Sequence, residues 1–131
     1  MKHLKVLLVV LSCVLFTLTL AGCAALLLGG AAGAGGAVYI KGELKEDMSA
    51  SVPRVHHATI AALKELNLPV NEDIHDKLSA KIQSRFADGA EVWIAIESVT
   101  AESSKVTIRV GVMGDEQKAR QILGAIHRHL G

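Results

Sequence analysis

Between residues 78 and 112 apolar and polar side chains alternate with a period of two, in three successive runs. Leu78, Ala80, Ile82, Ser84 and Phe86 fall on one side, and Lys81, Gln83 and Arg85 on the other. Val92, Ile94 and Ile96 repeat the pattern, as do Val106, Ile108, Val110 and Val112. Successive side chains of a strand point to opposite faces, so these runs describe an antiparallel sheet with one buried and one solvated face. The first connection also predicts a register. Asp88-Gly89 suggests a two-residue type I′ loop, but that opposes Phe86 to Glu91 and mixes the faces. A three-residue loop, Ala87-Asp88-Gly89 with Gly89 left-handed, instead pairs Phe86 with Ala90, Ile82 with Ile94 and Arg85 with Glu91, keeping apolar residues together and opposing unlike charges. The connection around Ala101-Glu102-Ser103-Ser104 is too loose to define a register.

The flanking segments supply helices. Ile40 to Met48 alternates as one strand, with Ile40, Gly42, Leu44, Glu46 and Met48 on one side. Ser51 as N-cap, Pro53 in the first turn and Val55, Thr59, Ala62 and Leu66 at helical spacing predict a helix over residues 52–66, stopped by Asn67 and Pro69. Val70 to Ile74 reads as a short strand, with His75-Asp76-Lys77 as a turn or bulge. Gly114 or Asp115 begins a last helix whose buried stripe is Ala119, Ile122, Leu123, Ile126 and Leu130, with acidic Glu116 near its start and Arg128 in its last turn. Two amphipathic helices and a sheet apolar on one side imply an α+β domain over residues 38–131. The expected form is a two-layer sandwich: a mainly antiparallel sheet of four to five strands with two helices on one face, in the order β-α-β-β-β-α.

The N-terminal part is unlike this domain. Of the first 40 residues 28 are apolar, against 38 of the remaining 91. Lys2 and Lys5 give a basic start, Val6 to Leu20 an apolar stretch and Ala21-Gly22 small residues before Cys23, the layout of a secretory signal over residues 1–22. Leu20-Ala21-Gly22-Cys23 resembles the lipobox of bacterial lipoproteins. That resemblance implies removal of residues 1–22, Cys13 among them, and attachment of the chain to membrane lipid through an acylated Cys23. Ala24, where an Asp would imply inner-membrane retention, implies the outer membrane facing the periplasm. The mature chain would then hold one alkylated cysteine and no disulfide. Residues 23–37 read as a lipidated cysteine and a Gly/Ala tether. The uncharged run 24–40 also admits a membrane-inserted, self-associating helix, since Gly29 and Gly33 make a GxxxG pair; five glycines in eight positions favour the tether.

Chemistry is sparse. Lys plus Arg number 14 against 13 Asp plus Glu, and aromatic residues make up 3% of the chain, which argues against a nucleic-acid interface. No nucleophile elbow, HExxH, P-loop or dinucleotide fingerprint is present. Acidic pairs such as Glu46-Asp47 and Glu72-Asp73 sit among lysines and read as solvated faces. The expectation is therefore no catalytic residue, no enzyme activity and no cofactor. Five histidines lie beyond residue 23. His56 and His57 diverge by about 100° on their helix, and His127 and His129 flank opposite sides of the last one, so neither pair converges on a metal as an i, i+4 pair would. Trp93 is the oddity: a lone large aromatic on the polar side, in phase with Glu91 and Glu97, near Gln83 in this register and, across the next connection, near either Arg109 or Gly111. Trp93 and Arg109 are candidate partner contacts; the plainer reading of Trp93 is a cross-strand cover over Gly111.

The lipobox, the Gly/Ala tether, Ala-Ala-Leu-Lys-Glu-Leu (61–66) and Arg-Val-Gly-Val-Met-Gly-Asp-Glu (109–116) leading into Ile122-Leu123-Gly124-Ala125-Ile126 together resemble a family of small bacterial lipoproteins of unknown function, domain of unknown function 3568. The resemblance implies an envelope location and no particular activity. The expected function is that of a non-enzymatic, membrane-anchored structural or partner-binding module whose partner is an envelope protein or the cell wall. A self-associating membrane protein and a small-ligand or metal carrier are the alternatives.

Overall fold

The structure is a computed structural model, and it describes residues 1–14 and 36–131. The chain divides into two compact units, Met1–Gly36 and Ala37–Gly131. In the first, residues 2–14 form a helix, α1. No helix among the described residues is long and apolar enough to cross a membrane. The lipobox residues Leu20, Ala21, Gly22 and Cys23, the cleavage position and the Gly/Ala run up to residue 35 lie outside the described residues.

The second unit is α+β, built from β1 (Val38–Ile40), β2 (Glu43–Met48), α2 (Val52–Glu65), β3 (Val70–His75), β4 (Ser79–Arg85), β5 (Glu91–Thr100), β6 (Ser103–Val110) and α3 (Glu116–Leu130). These six strands join one sheet in the order β1-β2-β6-β5-β4-β3, with every neighbouring pair antiparallel. The expected four to five strands, in the order β-α-β-β-β-α, are thus too few. The difference arises at Lys41-Gly42, where the single strand expected from Ile40 to Met48 folds back on itself. Both residues have positive φ, 53° and 82°, and Ile40 pairs with Glu43, which makes a two-residue hairpin loop. Gly42 also meets Gly114 (φ 84°), where a Cβ would come within 2.5 Å of Gly42 Cα and of the Tyr39 hydroxyl. Glycine at 114 therefore lets the loop before α3 seat against this hairpin.

One sheet face is covered. Leu44, Ala80, Ile82, Val92, Ile94, Ile96, Val106, Ile108 and Val110 are buried with Val52, Val55, Ala62 and Leu63 of α2 and Ala119, Ile122 and Ile126 of α3. Each large aliphatic side chain buried there contributes roughly 1.5–3 kcal/mol. The β4–β5 register is the expected one: Ile82 opposes Ile94, Arg85 opposes Glu91 at 2.5 Å, Phe86 N–H donates to Ala90 O, and Gly89 has φ 92°. Two residues of the expected apolar ladders leave it. Leu78 is 69% exposed in the β3–β4 turn, where its backbone N–H and that of Ser79 donate to Asp76 Oδ1, and Val112 is 80% exposed beyond the end of β6. Turn geometry overrides periodicity at both ends.

The helix termini follow local chemistry. Asp115 caps α3, its carboxylate accepting from Lys118 N–H at 3.1 Å. Asn67, left-handed at φ 56°, ends α2 in a Schellman arrangement: Leu68 N–H donates to Leu63 O at 2.8 Å and Asn67 N–H to Lys64 O at 3.1 Å. Ser51 stands at the N-cap of α2, but its side chain makes no capping bond.

Candidate functional site

The sheet face opposite α2 and α3 carries a shallow groove of about 300 Å³, lined by Glu43 of β2, Lys81 and Gln83 of β4, Trp93 and Ala95 of β5, and Thr107 and Arg109 of β6. Trp93 sits at its centre, half-buried, paired across the strands with Gln83 on one side and Arg109 on the other. The small neighbours Ala95 and Thr107 leave room beside the indole. A Cβ added at Gly111 would meet nothing within 4 Å beyond its own chain neighbours, so the indole does not fill the space beside that glycine as the plainer reading of Trp93 expects. Arg109 is already engaged within the domain. Its Nη2 donates to Val112 O at 2.7 Å and its Nη1 lies 3.9 Å from Glu43 Oε1, so it braces the loop after β6 at the groove's edge.

On the covered face polar groups interrupt the aliphatic layer. Glu46, expected on a solvated face, faces the helices instead, because it follows Leu44 by two on β2; its side chain is 2% exposed, and Oε2 is 2.6 Å from His127 Nε2 of α3. Ser84 Oγ is buried without a hydrogen-bond partner among the described residues. A further group is Asp73, which the register places opposite Ile82 and so on the helix side of edge strand β3. His75, two residues on and opposite Ala80, shares that side. His56, on the flank of α2 beside fully buried Val55, reaches down to them. Its Nε2 stands 2.8 and 3.0 Å from the two Asp73 carboxylate oxygens, and His75 Nδ1 stands 3.0 Å from Oδ1. The two imidazole rings stack, with centroids 4.0 Å apart and planes 27° from parallel.

One ligand atom from each of His56, Asp73 and His75 lies within 4.8 Å of the others. Partial burial raises the Asp73 pKa, but the hydrogen bonds from His56 and His75 outweigh it and hold the carboxyl below the ordinary aspartate value. The sequence signal for this cluster is the two-residue spacing of Asp73 and His75, which puts both on one side of a strand. Sequence reasoning misses it because it expects His75 in a turn and pairs histidines along helices rather than between elements. The expected divergence within each pair does hold. His57 is exposed away from His56, and lines with His129 a second depression of about 280 Å³. His127 goes to Glu46, while His129 Nε2 is 2.7 Å from Glu65 of α2. Glu65 also receives Arg128 Nη2 at 2.7 Å; that bond first, then the one from His129, lowers its pKa. Arg128, expected to serve its own helix terminus, thus ties the ends of α2 and α3 together.

A groove with an aromatic floor is the form of a binding surface, and a His-Asp-His set is the form of a metal or proton-handling cluster. Comparison with curated proteins returns no match. The family model described as Protein of unknown function (DUF3568) matches residues 5–129, from α1 to the last turn of α3, and the chain belongs to that family.

Proposed function

We propose that this chain is a non-enzymatic lipoprotein of the bacterial envelope, anchored by an acylated Cys23 in the outer membrane facing the periplasm. Its α+β domain turns the sheet face opposite α2 and α3 toward a protein or cell-wall partner. The observation that carries the reading is the groove around Trp93. A tryptophan held between strands offers a large contact area with little side-chain entropy left to lose, and burial of such an anchor in a polar rim commonly dominates an interface. Here the rim is Lys81, Gln83, Thr107 and Glu43, with charges of both signs, so it suits a partner that hydrogen-bonds as well as stacks. Two or three acyl chains, at about 0.8 kcal/mol per buried methylene, would make the anchorage effectively permanent.

The anchor and the surface are tested separately. The intact mass of membrane-extracted protein should show loss of residues 1–22 and gain of acyl chains; Cys23→Ser that is still processed and still sediments with vesicles overturns the anchor. For the surface, crosslinking in intact cells with full-length protein should trap a discrete partner, and Trp93→Ala should reduce its yield at least about tenfold. Equal yield from the Trp93→Ala variant, or from a lipid anchor lacking the domain, overturns the surface.

A further inference from the structure

Outside the Trp93 groove, the most organised cluster among the described residues is His56, Asp73 and His75. We infer that these three side chains form a binding site for a divalent transition-metal ion of the zinc class, bridging α2 to edge strand β3 and leaving one coordination position open to water. Two imidazoles and one carboxylate are borderline donors suited to such an ion, and three protein ligands plus a solvent position is the pattern of an open tetrahedral site.

The geometry is that of a site drawn in around its hydrogen bonds. Asp73 has two acceptor oxygens, and both histidines direct a ring nitrogen at it from the same side, 2.8–3.0 Å away. Donors of a tetrahedral site with bonds of about 2.0–2.1 Å are separated by roughly 3.3 Å. Admitting an ion therefore requires the carboxylate to withdraw by a few tenths of an ångström, the two imidazole donors, which lie within 4.8 Å of each other, to settle at that same spacing, and each ring to move its proton to the far nitrogen, Nδ1 of His56 and Nε2 of His75. Such an exchange of tautomers needs no change of charge on the rings. His75 is 51% exposed on a strand at the edge of the sheet, so its ring turns out of the stack at little cost, while His56 is 15% exposed and held by α2. Asp73 is 26% exposed, which leaves a path for the ion and for the water completing its shell.

A purely structural tie gives a poorer account of the arrangement. One histidine suffices to fasten α2 to β3, as His127 alone joins α3 to Glu46. The second imidazole adds a ring stack on His56 to that attachment, but its hydrogen bond to Asp73 lies within one strand and ties nothing across; what that bond does is complete a donor set.

The test uses tag-free, full-length protein in detergent micelles, titrated with Co²⁺ as a spectroscopic probe and then with Zn²⁺. Expected are visible d–d absorption of tetrahedral Co²⁺ saturating at one equivalent, bleaching by Zn²⁺, and a thermal midpoint that rises with Zn²⁺ concentration. His75→Ala and Asp73→Asn should each weaken binding on the order of tenfold or more, whereas His129→Ala should leave it unchanged. Circular dichroism of His75→Ala, a change at an exposed edge position, verifies that the fold is retained. Absence of a one-equivalent signal in the unsubstituted protein, its survival in both ligand variants, or its loss in His129→Ala overturns the inference.

Discussion

Glu46 and Asp73 stand on the same face of one sheet, near opposite ends of the strand order, and each holds a helix through histidine. They differ in water. Glu46 is 2% exposed and meets one imidazole; Asp73 is 26% exposed and meets two. A buried carboxylate with one partner has nowhere else to direct its charge, so the pair acts as a clamp whose loss leaves an uncompensated group in the core. The carboxylate at the edge is partly solvated, and its contacts are worth correspondingly less to stability. What a solvated edge permits, and a sealed layer does not, is exchange with an ion from outside.

The sharpest way to break this comparison is to remove one histidine from each side. His127→Ala should lower unfolding stability by about 2 kcal/mol in urea denaturation, because Glu46 loses its partner while remaining buried. Replacing both, Glu46→Leu with His127→Leu, should return stability to within about 1 kcal/mol of the parent. If the single variant costs no more than the double, the clamp is not what holds α3 there. Ser84 extends the series to zero partners among the described residues on the same face. Ser84→Ala deletes a buried hydroxyl that makes no hydrogen bond there and should raise stability by about 1 kcal/mol in the same assay; a loss would reveal an unseen bond. His56→Ala, at the wetter end and without metal, should cost only about 0.5 kcal/mol.

Acidification sharpens the contrast further. The Asp73 carboxyl is held below its ordinary value by His56 and His75, so its contribution is complete above the unfolded value and fades as pH falls through the folded one, below about pH 4. Thermal midpoints should therefore drop less steeply below that pH in Asp73→Asn than in the parent. Parallel curves would show that the carboxylate gains nothing from its histidines.

Much of the domain is legible in the sequence because its causes are local. Period two names the buried faces of β4, β5 and β6, and matching those faces across a three-residue loop ending at Gly89 implies the Ile82–Ile94 register. Helix limits follow from Asp115, Pro53 and Asn67. The errors are local too: Lys41-Gly42 continues an alternating pattern that in fact turns, and Leu78 and Val112 keep the phase of ladders they have left. Trp93 and Arg109 both stand out on the polar side, and they are cross-strand neighbours in the groove. The His56-Asp73-His75 cluster does not emerge this way, since the chain pattern puts one member in a turn and another on a helix considered by itself.

By itself the sequence determined which side of each strand faces inward and where most helices begin and end, because side-chain alternation and capping act over a few residues. Only the tertiary structure decided which charges meet. His56 finds Asp73 across 17 positions and His127 finds Glu46 across 81, separations over which no pattern along the chain carries phase. Those meetings depend on how each helix lies across the sheet, and that angle is set by the packing of the whole aliphatic layer beneath it.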